Sequence, residues 1–253
     1  MIKHPKRPVA LGALLVLVSF VLYLIHYAIF HDLHHIMVFL VEDIAFIPIH
    51  VLIITLIIER LLTEREKLKR RSNLNMVVGV FFNEVGTPLL NLLLAFDEKS
   101  REVQQELLVD GTWSDKHYEQ ARKLFLDAEL QIDSQKGDLE ALRHLVIKER
   151  DFLLQMLENP SILEYEYFTN LLLAVFHLSD ELAHRETVQG LPPSDYEHLS
   201  TDIERAYRGL ILEWLKYMRH LKKEYPYLFS LAVRLNPFDS DASPIVKYDL
   251  PAK

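Results

Sequence analysis

The sequence predicts an all-α membrane protein: a two-span transmembrane helical hairpin followed by a stalk and a cytoplasmic helical bundle. Three observations predict it. Two long apolar runs lie near the N-terminus, at residues 8–30 and 36–58. As helices each spans about 34 Å, against a hydrocarbon core of about 30 Å. From residue 75 to about residue 235, apolar residues recur at spacings of three and four, the period of a helix with one buried face. No stretch alternates convincingly between apolar and polar residues, and a chain without strands must bury its apolar faces helix against helix.

The first run, "PVALGALLVLVSFVLYLIHYAIF", follows "MIKHPKR". A cleaved signal peptide is the competing reading, but the run is too long for a signal core and lacks a clear small-residue cleavage site, so it is read as a retained span. Lys3, Lys6 and Arg7 precede it, and Arg60, Arg65, Lys67, Lys69, Arg70 and Arg71 follow the second span, while the five residues between the spans contain neither Lys nor Arg. Basic flanks stay on the cytoplasmic side. The expectation is a multi-pass protein of the inner or plasma membrane with both termini cytoplasmic. The basic collar Arg60, Arg65, Lys67, Lys69, Arg70 and Arg71 is expected to touch lipid headgroups.

Residues 59–74, "ERLLTEREKLKRRSNL", contain no Gly or Pro and are rich in helix formers, predicting a basic helical stalk continuous with the second span. The next run, "NMVVGVFFNEVGTPLLNLLLAFDEK", is interrupted by Asn83, Glu84, Gly86, Thr87, Pro88 and Asn91. It is read as a buried or interfacial helix pair broken near Gly86 rather than a third span. Within the acidic bundle, residues 75–235, "NPS" at 159–161 ends one helix and starts another. "QGLPPSD" at 189–195 reads as a loop, with Ser194 and Glu197 as a capping box. The tail, residues 236–253, is polar and Pro-containing and is expected to be extended or disordered.

Charge divides the chain near the same place. Residues 1–74 hold nine basic and six acidic residues, and residues 75–253 hold 19 and 30, giving +3 and −11. An acidic body is a poor partner for nucleic acid, whose phosphates dominate binding. The absence of cysteine excludes thiol catalysis, Cys-ligated zinc and iron–sulfur clusters.

The second span carries a polar stripe. At 100° per residue, His35, Glu42, Asp43 and His50 fall within an arc of about 100°, and Ile53 and Ile57 continue the same face. His26 on the first span lies at nearly the depth of Glu42, so a His26–carboxylate pair is expected. Two spans enclose no water path alone, whereas a homo-oligomer does. Glu42 and Asp43 would then form an outer cation site, His50 would line the path, and Ile53 with Ile57 would form a hydrophobic constriction. Pro48 would kink or widen the helix. The bland reading of the two acids is partial hydration near the interface, or neutral hydrogen bonding between packed helices.

His31, Asp32, His34 and His35 offer a further candidate divalent-metal site. His31, His34 and His35 form H-x-x-H-H, which resembles one histidine box of the membrane desaturase and hydroxylase family. Those enzymes hold two irons with several such boxes, and no second box occurs here. Axial haem ligation by His26 and His50 is opposed by their difference in depth. "FNEVGTPLLN", residues 82–91, is similar to the phosphoacceptor box H-E-x-x-T-P-L of sensor histidine kinases, matching at Glu84, Thr87, Pro88 and Leu89. Asn83 stands at the acceptor position, where an amide takes no phosphoryl group, and the seven glycines include no glycine-rich nucleotide lid, so kinase activity is excluded. In the bundle, His177, Asp180, Glu181 and His184, with Glu164 and Glu166 upstream, are read as solvated charge, because no E-x-x-H pair is repeated on two helices. Common nucleotide, esterase and zinc-protease motifs are absent.

The expected function is a homo-oligomeric, channel-like membrane protein with a carboxylate-lined cation path. The alternative is a membrane-anchored signalling or scaffold protein that recruits a cytoplasmic protein partner, and the third reading is a membrane metal-binding or redox protein. The lipid bilayer and further copies of the chain are the expected partners; no enzymatic activity, cofactor or nucleic acid is expected.

Overall fold

In the computed structural model, the first apolar run forms α1 (Lys6–Phe30) and the second lies in α2 (Leu33–Phe81). The structure describes residues 6–246, without the side chains of residues 6–9 and 66–73. α1 stops because His31 adopts a left-handed backbone, φ 50°, its N–H still bonded to the Tyr27 carbonyl at 2.9 Å. Asp32 then starts α2 by accepting the His35 N–H at 3.1 Å, an N-cap that replaces a missing intrahelical bond. The connection is therefore two residues long rather than five. α2 runs on through Pro48 and through residues 59–74, so the continuous helix expected there is present.

The chain divides into two compact units between Lys67 and Leu68. In the first, every described residue of 10–65 except His26 and Ile36 is exposed. The helical stretches Ala10–Phe30, Leu33–Arg65 and Leu74–Phe96 are each long and apolar enough to cross a membrane. The third belongs to the second unit, where Phe81, Phe82, Val85, Leu89, Leu90 and Leu93 are fully buried in the core.

The second unit is built from helices joined by loops, with no strand among its described residues beyond one isolated bridge, Asp97 to Ile132. The expected break near Gly86 is a π-helical turn, Phe82–Gly86, that leads into α3 (Thr87–Leu93). Pro88 has no N–H and its ring crowds the carbonyl four residues back, and a wider turn relieves both without ending the helix. Gly86 keeps ordinary helical dihedrals; its missing side chain leaves room for the Phe82 ring, since a Cβ there would lie 2.6 Å from Phe82 Cδ1.

Eight α-helices follow among the described residues: α4 (Ser100–Glu106), α5 (Asp115–Asp127), α6 (Leu139–Lys148), α7 (Arg150–Leu157), α8 (Pro160–Leu163), α9 (Glu166–Ala183), α10 (Pro193–Glu224) and α11 (Pro226–Arg234). Asn159 caps α8 through the Ser161 N–H, as "NPS" predicts. Ser194 and Glu197 form no capping box. α10 starts at Pro193, with Pro192 as its cap, because consecutive prolines preset φ and have no N–H groups to satisfy. α10 packs on α9, α5, α3 and α11. It buries Leu199, Ile203, Tyr207, Leu210, Trp214 and Met218, spaced by three and four as one face of a helix requires. Arg208 caps the end of α5, donating from Nη1 to the Phe125 carbonyl at 2.9 Å and from Nη2 to the Ala128 carbonyl at 2.7 Å.

Residues 236–246 form no helix, but the first of them are not loose. Asn236 donates to the buried Leu107 carbonyl at 2.9 Å, and Phe238, 1% exposed, packs edge-on against Trp214.

Candidate functional site

The polar stripe of α2 turns partly toward α1. The Tyr23 hydroxyl donates to Asp43 Oδ2 at 3.4 Å, and the His26 ring stacks on His35 with centroids 6.3 Å apart. The His26–carboxylate pair is not formed, because His35, in the first turn of α2, takes the face of the imidazole instead. His26 Nε2 is buried without a hydrogen-bond partner. Glu42 makes no hydrogen bond or ion pair among the described residues, and His50 contacts the Phe46 ring at 6.3 Å. Ile53 and Ile57 are half exposed.

The turn does not gather its histidines. Asp32 is engaged in capping, His31 ends α1 beside Tyr27, and His35 is stacked. His34 is exposed. No three of the donor atoms of His31, Asp32, His34 and His35 converge among the described residues. Arg60 and Arg65 are exposed on α2, while the side chains of Lys67, Lys69, Arg70 and Arg71 lie outside the described residues.

A different set does converge, in the second unit. His177 and Glu181 on α9, and His198 and Asp202 on α10, bring one ligand atom each to within 4.8 Å of all the others. Spacing four places each pair on one helix face, and the pairing of α9 with α10 brings the faces together. His177 Nε2 and His198 Nε2 each lie 3.3 Å from Asp202 Oδ2. They lie 3.8 and 3.6 Å from the Glu181 carboxylate. Arg185 donates to Glu181 Oε2 at 2.8 Å and grips both oxygens of Asp195. That hydrogen bond holds the Glu181 carboxyl below the usual carboxylate range. The sequence reading as solvated charge fits the half-exposed histidines but missed the convergence. Its signal was H-x-x-x-E at 177–181 and H-x-x-x-D at 198–202, on consecutive helices.

The same unit has an open groove of about 730 Å³. Asn75, Asn83 and Asn91 give it polar groups, and Met76, Leu228 and Leu231 an apolar wall. Asn75 Nδ2 and His220 Nδ1 are hydrogen-bonded at 3.1 Å, and burial pushes the His220 pKa down.

Two family models match the chain. Residues 3–62 match the model described as MJ1433, N-terminal helical domain, and residues 70–234 match that of the uncharacterized protein MJ1433, C-terminal helical domain. The gap between the matches brackets the division between the two units. The chain is 47% identical over 226 residues to the uncharacterized protein MJ1433 of Methanocaldococcus jannaschii, covering 89% of this chain and 91% of that one. No solved structure matches.

Proposed function

We propose that this chain, which belongs to the MJ1433 family, is a membrane-anchored helical scaffold: two apolar helices sit in a lipid bilayer with both termini cytoplasmic, and the helical domain recruits a cytoplasmic protein partner. The observation that carries the reading is the contrast in burial. Side chains such as Leu17, Ile29 and Val41 are 60%, 65% and 62% exposed, and water tolerates so much continuous apolar surface poorly. The domain, by contrast, closes its own core. The groove supports recruitment, since its rim leaves Tyr227 and Met76 72% and 66% exposed beside side-chain amides, a mixture typical of the centre of an interface.

The test has two arms. The full-length protein should remain with membranes through alkaline carbonate extraction, and its co-purified partner should be lost from the double variant Met76→Glu, Tyr227→Glu while helix content is retained. Release by carbonate would overturn the anchor, and unchanged co-purification would overturn the groove.

A cation path through a homo-oligomer is the second reading. It is favoured by Glu42, which has no hydrogen-bond or ion-pair partner among the described residues, and by His50, Ile53 and Ile57 below it on the same exposed face. Cation flux into liposomes that falls on Glu42→Gln, from a species larger than a dimer, would establish it; absent flux would remove it.

A further inference from the structure

We propose that His177, Glu181, His198 and Asp202 bind one divalent transition-metal ion of the zinc class, and that the ion clamps α9 to α10. The donor set is two imidazole nitrogens and two carboxylate oxygens. Nitrogen donors select a borderline ion such as zinc over the all-oxygen preference of calcium or magnesium.

The spacing fits four-coordination. Bonds of about 2.0–2.1 Å arranged tetrahedrally separate their donors by about 3.3 Å. Both contacts of Asp202 Oδ2 to the imidazoles have that length, 3.3 Å; Glu181 approaches His177 through Oε1 at 3.8 Å and His198 through Oε2 at 3.6 Å, and all four donors lie within 4.8 Å, so a turn of the Glu181 carboxylate brings one oxygen into the shell.

A second observation is independent of the clustering. The Asp202 side chain is 2% exposed, and its Oδ2 is buried without a hydrogen-bond partner, although two ring nitrogens lie 3.3 Å away. Neither imidazole aims an N–H at it. A buried carboxylate oxygen left unpaired is costly and rare, and a cation held between the rings and the acids supplies the missing interaction. Ion pairing with protonated histidines at a half-exposed rim contributes little and supplies no hydrogen bond to Asp202 Oδ2.

The surrounding hydrogen bonds are those of a supported ligand shell. Arg205 Nη1 donates to Asp202 Oδ1 at 2.6 Å, and Arg185 Nη1 donates to Glu181 Oε2 at 2.8 Å. Asp202 is thereby fixed through Oδ1 and presents Oδ2 to the centre, while Arg185 anchors Glu181 at Oε2 and leaves Oε1 facing His177. Four protein ligands leave no position for a substrate, which makes the centre structural rather than catalytic. It ties together the two longest helices of the domain.

The test uses the full-length protein in detergent, stripped with a chelator and then titrated with Zn²⁺ alone by calorimetry and with Co²⁺ alone by visible absorption. The expected result is one tight equivalent of Zn²⁺ and an intense Co²⁺ band of tetrahedral type. His177→Gln and His198→Gln, both at half-exposed positions, should each weaken that binding at least tenfold with helix content unchanged. His184→Gln, at the C-terminal end of α9 and outside the centre, should bind as the unaltered protein does. Absence of the equivalent, or its persistence unchanged in both glutamine variants, overturns the proposal.

Discussion

The hydroxyl of Tyr23 donates to the carboxylate of Asp43 across the two apolar helices at 3.4 Å. In the bilayer placement proposed above, a polar pair between apolar helices keeps a carboxylate out of hydrocarbon without a pore, and such bonds contribute on the order of 0.6–1.7 kcal/mol. Tyr23→Phe and Asp43→Ala should each destabilise the detergent-solubilised protein by about 1 kcal/mol, and the double variant should cost little more than either alone. Additive losses in that cycle would mean that the two groups act separately.

Arg208 closes the end of α5 with a charged donor, and hydrogen bonds to charged groups contribute about 1.5–3 kcal/mol. Arg208→Ala leaves the carbonyls of Phe125 and Ala128 without that donor, so denaturant unfolding should show a loss of about 2 kcal/mol. Arg208→Lys, with one donor head in place of a two-nitrogen fork, should recover part of it.

Two glycines separate packing from composition. A Cβ on Gly137 would lie 2.6 Å from three atoms of the Phe96 ring, whereas one on Gly111 would meet nothing within 4 Å. Phe96 is fully buried and has no room to yield. Gly137→Ala should therefore destabilise by about 1–3 kcal/mol, the usual penalty of overpacking, while Gly111→Ala should lie within about 0.5 kcal/mol of the unaltered protein. Paired thermal or denaturant melts decide it.

Much of this architecture is legible in the sequence because its signals are local. The apolar runs, the helix through residues 59–74 and the stop at Asn159 need only composition, period and capping chemistry. The site needed tertiary pairing. His177 with Glu181 is one ordinary surface pair until α10 lays His198 and Asp202 beside it, and nothing within either helix specifies that alignment. The turn misled for the opposite reason: three crowded histidines look like ligands, but backbone geometry commits His31 to ending one helix and Asp32 to starting the next. Phe238 was missed because its polar neighbours mask a single aromatic that reaches the core.

Asp97 provides a pH signature. Burial pushes its carboxyl above the ordinary 3.8, partly offset by the Lys99 N–H bonded to Oδ1 and by the backbone of Gln131. A carboxyl with a folded pKa above its unfolded one destabilises fully at pH values above the folded pKa, and the penalty is relieved as pH falls through it. Asp97→Asn keeps an acceptor for Lys99 and removes the charge. The variant should gain stability over the unaltered protein near pH 7, and the gain should shrink as pH falls toward 4. A difference independent of pH would show that Asp97 titrates alike in both states.

The short segment after α11 should contribute stability out of proportion to its length. Phe238 is 1% exposed with its ring edge-on to Trp214, centroids 5.1 Å apart, and Asn236 anchors the approach by accepting the Phe238 N–H at 3.0 Å. Truncating a buried phenylalanine to alanine costs about 3–5 kcal/mol, so Phe238→Ala should lower the unfolding midpoint more than any alanine at an exposed residue of the same segment, such as Ile245. Only Trp113 and Trp214 contribute tryptophan emission, and loosening the segment admits water to Trp214 alone. A red shift in Phe238→Ala that is abolished by Trp214→Phe assigns the change to that contact; a shift that survives Trp214→Phe places it at Trp113 and refutes the docking of the segment on α10.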